Sequence, residues 1–184
     1  MRVLIACEFT GEVRDAFLAK GHDAWSCDIL PSEREGPHLQ CKVQKILDLK
    51  WDMLIAFPPC TYLSSAGMMW NSPMPWRVKE TIRSLYFVAK LVNSHIERIC
   101  IANPVGILST VYRKPDQIIH PWQFGHPETK RTCLWLHNLP LLRSTQLVEP
   151  TKSKVQNEPG GRNQSKNRSR TFSGIASAMA NQWG

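Results

Sequence analysis

The chain has 184 residues, 42% of them hydrophobic, and its 23 Lys and Arg against 15 Asp and Glu give a formal net charge of +8. That is apolar material for one sizeable core, so a single domain over 1–184 is the simplest organisation. No run approaches the ~18 apolar residues of a membrane span, and Met1-Arg2-Val3-Leu4-Ile5-Ala6-Cys7 enters a strand-like pattern at once instead of a leader, so a soluble cytoplasmic protein with no membrane partner is expected.

Arg2 to Cys7 reads as a buried strand, followed by a turn at Glu8-Phe9-Thr10-Gly11. A helix over Glu12 to Lys20 carries Val13, Ala16 and Phe17 on one face and ends at Gly21. His22 to Cys27 is a second strand that delivers Asp28 at its carboxyl end. This order of strand, helix, strand and acid suits a nucleoside cofactor, with backbone amides in the first turn and a carboxylate for ribose hydroxyls. Taken alone, Asp28 is equally readable as a turn residue or helix cap. Pro31 to Pro37 is polar, so the second helix is short or absent, and a third strand is expected within His38 to Leu47.

Asp52-Met53-Leu54-Ile55-Ala56-Phe57 is an apolar strand stopped by Pro58-Pro59, which cannot donate to a sheet ladder and so present Cys60 at the sheet edge. Ser65 to Trp76, rich in Ser, Gly, Met, Pro and Trp, is either a segment that closes over a substrate or part of the core. Val78, Ile82, Leu85, Ala89 and Val92 recur at helical spacing, so Arg77 to Ser94 reads as a long amphipathic helix with these residues on its apolar face. Arg98 to Ala102 is a fifth strand ending at Asn103-Pro104, and Cys133 to Leu136 is another. A last helix places Ile175, Met179 and Trp183 on one face. Alternating helices and buried strands predict an α/β fold with a Rossmann-like, doubly wound, mostly parallel sheet, whose carboxyl edge collects Gly11, Asp28, Cys60 and Asn103.

The six cysteines lack C-x-x-C spacing and the density of a disulfide scaffold, so no metal site is expected and Cys7, Cys27, Cys100 and Cys133 read as small buried hydrophobes. From about 143 to 170, Arg143, Lys152, Lys154, Arg162, Lys166, Arg168 and Arg170 face only Glu149 and Glu158. This short basic insertion implies a polyanionic partner, and its alternative is a solvated loop. Nothing in the sequence fixes the oligomeric state.

Asp52 opening the strand, Pro59-Cys60, and Ser64 four residues after the cysteine resemble the motif of DNA cytosine-C5 methyltransferases. Other stretches follow in that family's order. Phe9-Thr10-Gly11 is similar to its Phe-Ser/Ala-Gly, and Asp28 stands where the family keeps a ribose-binding acid. Phe124-Gly125-His126-Pro127-Glu128-Thr129-Lys130 is similar to its Tyr-Gly-x-Pro-Gln-x-Arg strip, and Arg170-Thr171-Phe172-Ser173-Gly174 to its last motif. The resemblance implies the fold of S-adenosylmethionine-dependent methyltransferases, with Phe9, Thr10, Gly11, Asp28, Pro58, Phe172 and Ser173 at the cofactor. It implies Cys60 as the nucleophile at cytosine C6, Asn103 and Lys130 orienting the base, and DNA as partner through Lys152, Lys154, Arg162, Lys166, Arg168 and Arg170.

Two departures and one shortage qualify the resemblance. Lys42 lies where the family accepts from the adenine amino group, and an ammonium only donates, so weaker cofactor binding follows. Ala102 replaces the family's glutamate at cytosine N3, and losing a positioned acid costs about 10²- to 10⁴-fold in rate. Only Leu139 to Ser169 is available for target recognition. Methylation of a free cytosine nucleotide and non-catalytic nucleic-acid binding are therefore the alternatives.

Overall fold

A computed structural model describes residues 1–151 and 164–184. The strands are β1 (Arg2–Ala6), β2 (Asp23–Asp28), β3 (His38–Gln40), β4 (Met53–Ala56), β5 (Arg98–Pro104), β6 (Gln117–Ile119) and β7 (Thr132–His137). The helices are α1 (Glu12–Leu18), α2 (Ser65–Met68), α3 (Arg77–Val92), α4 (Leu108–Val111), α5 (Gln164–Ser169) and α6 (Ser173–Trp183). They build one seven-stranded sheet in the order β3-β2-β1-β4-β5-β7-β6. β1 to β5 pair in parallel and β7 runs antiparallel to both β5 and β6, so the mostly parallel, doubly wound fold expected from the sequence is the one observed.

Side chains alternate across a strand, and β1 divides its own between two cores. Val3 and Ile5 join Val13, Phe17, Ile175, Met179 and Trp183 beneath α1 and α6. Leu4 and Ala6 join Val88, Leu91, Ile99 and Ile101 beneath α3. With both faces covered, every residue of β4 is buried, which is why it reads as an unbroken apolar run.

α1 stops at Leu18, and Gly21 takes the left-handed conformation (φ 79°) with its amide bonded to Leu18 O. The third strand is only three residues long, and a 3₁₀ turn over Val43–Lys45 follows it. α3 has the expected length but a different phase. Its buried residues are Thr81, Val88 and Leu91, while Val78 and Ile82 are 47% and 61% exposed and Ala89 faces solvent. Thr81 turns inward because its hydroxyl accepts from Asn71 and donates to the Arg77 carbonyl, so a polar contact outweighs the apolar stripe. Met69, Trp70, Met74 and Trp76 are likewise exposed and do not belong to the core.

Of the cysteines expected to be buried, Cys27, Cys100 and Cys133 are, and Cys7 is half-buried in a left-handed conformation (φ 58°). Among the described residues no helix is long and apolar enough to cross a membrane, and no group of three His, Cys, Asp or Glu could hold a metal ion.

Candidate active site

Parallel β1, β2, β4 and β5 end at one edge, so the segments leaving their carboxyl ends are neighbours whatever their separation in sequence. The first is the turn Glu8 to Gly11. Glu8 is 4% exposed, and its Oε1 accepts from the Val13 amide at 2.7 Å and the Thr10 hydroxyl at 3.3 Å, which fixes the turn against the start of α1. Glu8 Oε2 is buried with no partner among the described residues, and burial raises the carboxyl to a pKa of about 7. Gly11 is left-handed (φ 74°), and a side chain there would also run into Arg14, its Cβ standing 2.5 Å from Nη2. The Arg14 side chain is wholly buried and packs against Gly36 as well. It donates to Asp15, to the hydroxyls of Ser26 and Ser32, and to the carbonyls of Arg34 and Glu35, joining α1, β2 and the 32–36 loop.

Phe9 and Thr10 are themselves buried, so this turn offers backbone more than side chain. Asp28 Oδ1 accepts from the Leu30 amide at 2.9 Å, the turn role that the residue alone suggests. Lys42 is exposed just past β3.

The second segment follows β4. Pro58 is buried, Pro59 and Cys60 are exposed, and Cys60 O accepts from the amides of Leu63 and Ser64. Ser64 caps α2 by accepting from the Gly67 amide, which accounts for a Ser four residues beyond the cysteine. Asn103, 2% exposed at the end of β5, donates through Nδ2 to Pro58 O at 2.7 Å. Its amide thus braces the turn that carries Cys60, which is a positioning role, and its buried Oδ1 has no partner among the described residues. Ala102, one residue earlier, is 4% exposed within the apolar cluster under α1 and α6.

The third segment precedes β7 and brings in Lys130. Nζ donates to the carbonyls of Arg168 and Arg170 at 2.8 and 3.1 Å and stands 5.9 Å from the centre of the Phe172 ring. Burial lowers the ammonium to a pKa of about 8, opposed by the nearby Cys60 sulfur. Phe172 also packs on His126, whose Nε2 accepts from the Gly174 amide at 3.0 Å and lies 3.2 Å from the exposed Ser173 hydroxyl. Lys166 Nζ stands 5.1 Å from the centre of the Phe9 ring, so residues 166–172 run from the first turn to Lys130.

Solved structures share this architecture. Over 83% of the chain it is similar, with a TM-score of 0.50 and 14% identity, to a structure described as a DNA modification methyltransferase encoded within an E. coli prophage. Over 88% it is similar to the Entamoeba histolytica methyltransferase EhMeth, again with a TM-score of 0.50 and at 17% identity. The chain corresponds to 53% and 60% of the lengths of those proteins. At such identity the likeness establishes a methyltransferase-type fold. No family model matches the chain, and no curated protein matches it.

Of the basic segment, Lys152, Lys154 and Arg162 lie outside the described residues. Lys166 and Arg170 are both paired with Glu33, which they hold below the ordinary carboxylate range. Arg168 is exposed.

Sequence reasoning missed Glu8, Arg14, Glu33 and His126. Arg14 had a signal, since a charged residue sits beside Val13 and one turn before Phe17 on the helix face that is otherwise apolar. Glu8 had a weaker one, a carboxylate directly ahead of a turn whose amides need acceptors. Glu33 had none, because its partners are more than a hundred residues away.

Proposed function

We propose that the chain is an S-adenosylmethionine-dependent methyltransferase acting on cytosine C5 in DNA. The observation that carries this reading is the bracing of Cys60 by Asn103 beside Lys130, three residues from separate motifs meeting at one edge. The fold likeness to a DNA modification methyltransferase adds support.

The residues suit an adenosyl donor. Asp28 keeps one carboxylate oxygen, and Lys166, 5.1 Å from the centre of the Phe9 ring, brings the segment that carries Phe172 to the first turn. S-adenosylmethionine, when bound there, would supply the methyl group and leave as S-adenosylhomocysteine. Cys60, as its thiolate, forms a bond to cytosine C6, which breaks the C5–C6 π bond and places its electron pair on C5. Methylation of C5 is followed by loss of the C5 proton to solvent and expulsion of the thiolate from C6. The target base leaves the helical stack to reach Cys60. Lys130 presents a positive charge beside the cysteine and orients the base. Ala102 offers no carboxyl to the ring, so the adduct is slow to form.

The test is the intact mass of the protein after incubation with a 5-fluorocytosine oligonucleotide and S-adenosylmethionine. A covalent complex is expected, scarce in the parent, at least tenfold more abundant in Ala102→Glu, and absent from Cys60→Ser. If Ala102→Glu folds and binds both ligands but yields no adduct, the reaction is wrong for this protein. The burial of Ala102 among apolar side chains would then favour the second reading, a nucleic-acid-binding protein that keeps the fold without the chemistry.

A further inference from the structure

We propose that Glu33 is an internal stand-in for nucleic-acid phosphate: it latches residues 166–172 over the carboxyl edge between Phe9 and Lys130, and duplex binding releases that segment by replacing it. This rests on the reading above for the polyanion and for the donor at that edge.

The latch has two ends. At the first, Glu33 receives Arg170 in a fork, Nη2 to Oε1 at 3.0 Å and Nη1 to Oε2 at 2.8 Å, together with Lys166 Nζ at 2.8 Å. An arginine fork with a lysine beside it is the geometry that takes a phosphate oxygen pair equally well. Glu33 is itself tied to the first turn, its amide donating to Phe9 O at 2.8 Å, and Lys166 Nζ lies 5.1 Å from the centre of the Phe9 ring. At the second end Lys130, beside Cys60, holds the carbonyls of Arg168 and Arg170. The strand of chain between them runs from the donor turn to the nucleophile turn.

The two ends differ in what can undo them. Lys130 is half-buried and holds two main-chain carbonyls, so an arriving anion meets it less readily than the other end. Glu33 grips two half-exposed cations, where exposed pairs contribute little and a denser anion competes. A duplex presents such a charge array. The strap therefore detaches at the Phe9 end and pivots on Lys130. By linkage, release of the strap and binding of the duplex favour each other.

The experiment compares the full chain, Glu33→Gln and Glu35→Gln with a duplex oligonucleotide as probe. Glu35 is exposed two residues away and has the same charge without touching the strap, so it isolates the latch from the change in net charge. Duplex affinity at low salt should rise roughly three- to tenfold in Glu33→Gln, the loss of two competing exposed pairs, and less than about twofold in Glu35→Gln. Amide hydrogen exchange over 8–11 and 166–172 should quicken in Glu33→Gln alone, and in the parent once duplex is added. Equal affinities for the two variants, or exchange unmoved by either the variant or the duplex, would overturn the latch. Absence of duplex binding by all three would overturn it together with the DNA reading. A latch signature without any heat from S-adenosylmethionine would leave the latch standing and remove only the donor assignment.

Discussion

The two sides of the carboxyl edge are built on opposite terms. On the β1–β2 side, Arg14 is buried with its guanidinium shared among three segments, and Glu8 pins the first turn. On the β4–α3 side the chain leaves Met69, Trp70, Met74, Trp76 and Ile82 in solvent, with exposures from 38% to 72%. One side completes itself from within; the other keeps apolar surface available for contact. What the contrast teaches is that one edge holds both an internally braced half and a half with apolar surface to spare, and the proposed function would set the donor on the first and the larger substrate on the second.

Four substitutions test that contrast, beginning with the largest effect. Arg14→Leu removes the donor to two carbonyls and two hydroxyls and should cost about 3–5 kcal/mol in urea unfolding. Arg14→Lys should recover little of it, because a lysine has no planar fork. A loss under about 1 kcal/mol would mean that the β1–β2 side is not organised by this residue.

Glu8 comes next. Its carboxyl has a higher pKa folded than unfolded, so the native state binds the extra proton between roughly pH 4.5 and 7. Stability should therefore fall as pH rises through that window and stay lost above it, by on the order of 3 kcal/mol. Glu8→Gln should flatten the profile, and an unchanged slope would show that Glu8 is not the group responsible.

Asn103→Leu should cost about 1–3 kcal/mol by stripping Pro58 O of its donor. It should also slow adduct formation at Cys60 without weakening donor binding, the split expected of a positioning residue. If adduct yield and donor affinity fall together, the side chain does more than brace the turn.

The smallest effect belongs to the exposed lobe. Trp70→Ser and Trp76→Ser should each change stability by less than about 0.5 kcal/mol, since these rings hold nothing inside the fold together. A larger loss in thermal unfolding would abolish the distinction between the two sides.

Much of this was legible in the residues. Leu54 to Ala56 could only be a strand buried on both faces, and Pro58-Pro59 could only end it, so Cys60 at an edge followed from chemistry alone. Asp28 was placed by the strand that it ends. The phase of α3 was only partly legible: Leu85 and Val92 do pack against the core, but Val78 and Ile82 advertise a buried face until the Asn71–Thr81 bond is known. β6 escaped because three residues, Gln117–Ile119, carry no periodicity, and the reversal of β7 depends on its connections. The pairing of Glu33 with Lys166 and Arg170 joins distant stretches that each look like ordinary solvated charge.

The turn after β4 has one more consequence. Ser65 N bonds to Val105 O and Ile107 N to Leu63 O, so the cysteine's turn is stitched to the loop leaving β5. Glycine is required on both sides of the seam: a Cβ on Gly67 would stand 2.1 Å from Thr61 O, and one on Gly106 2.0 Å from Leu63 O. Cys60 is also the only fully exposed thiol of the six. A maleimide dye would attach there first, on a mount that does not swivel, so its fluorescence anisotropy would register the arrival of a ligand at the edge directly.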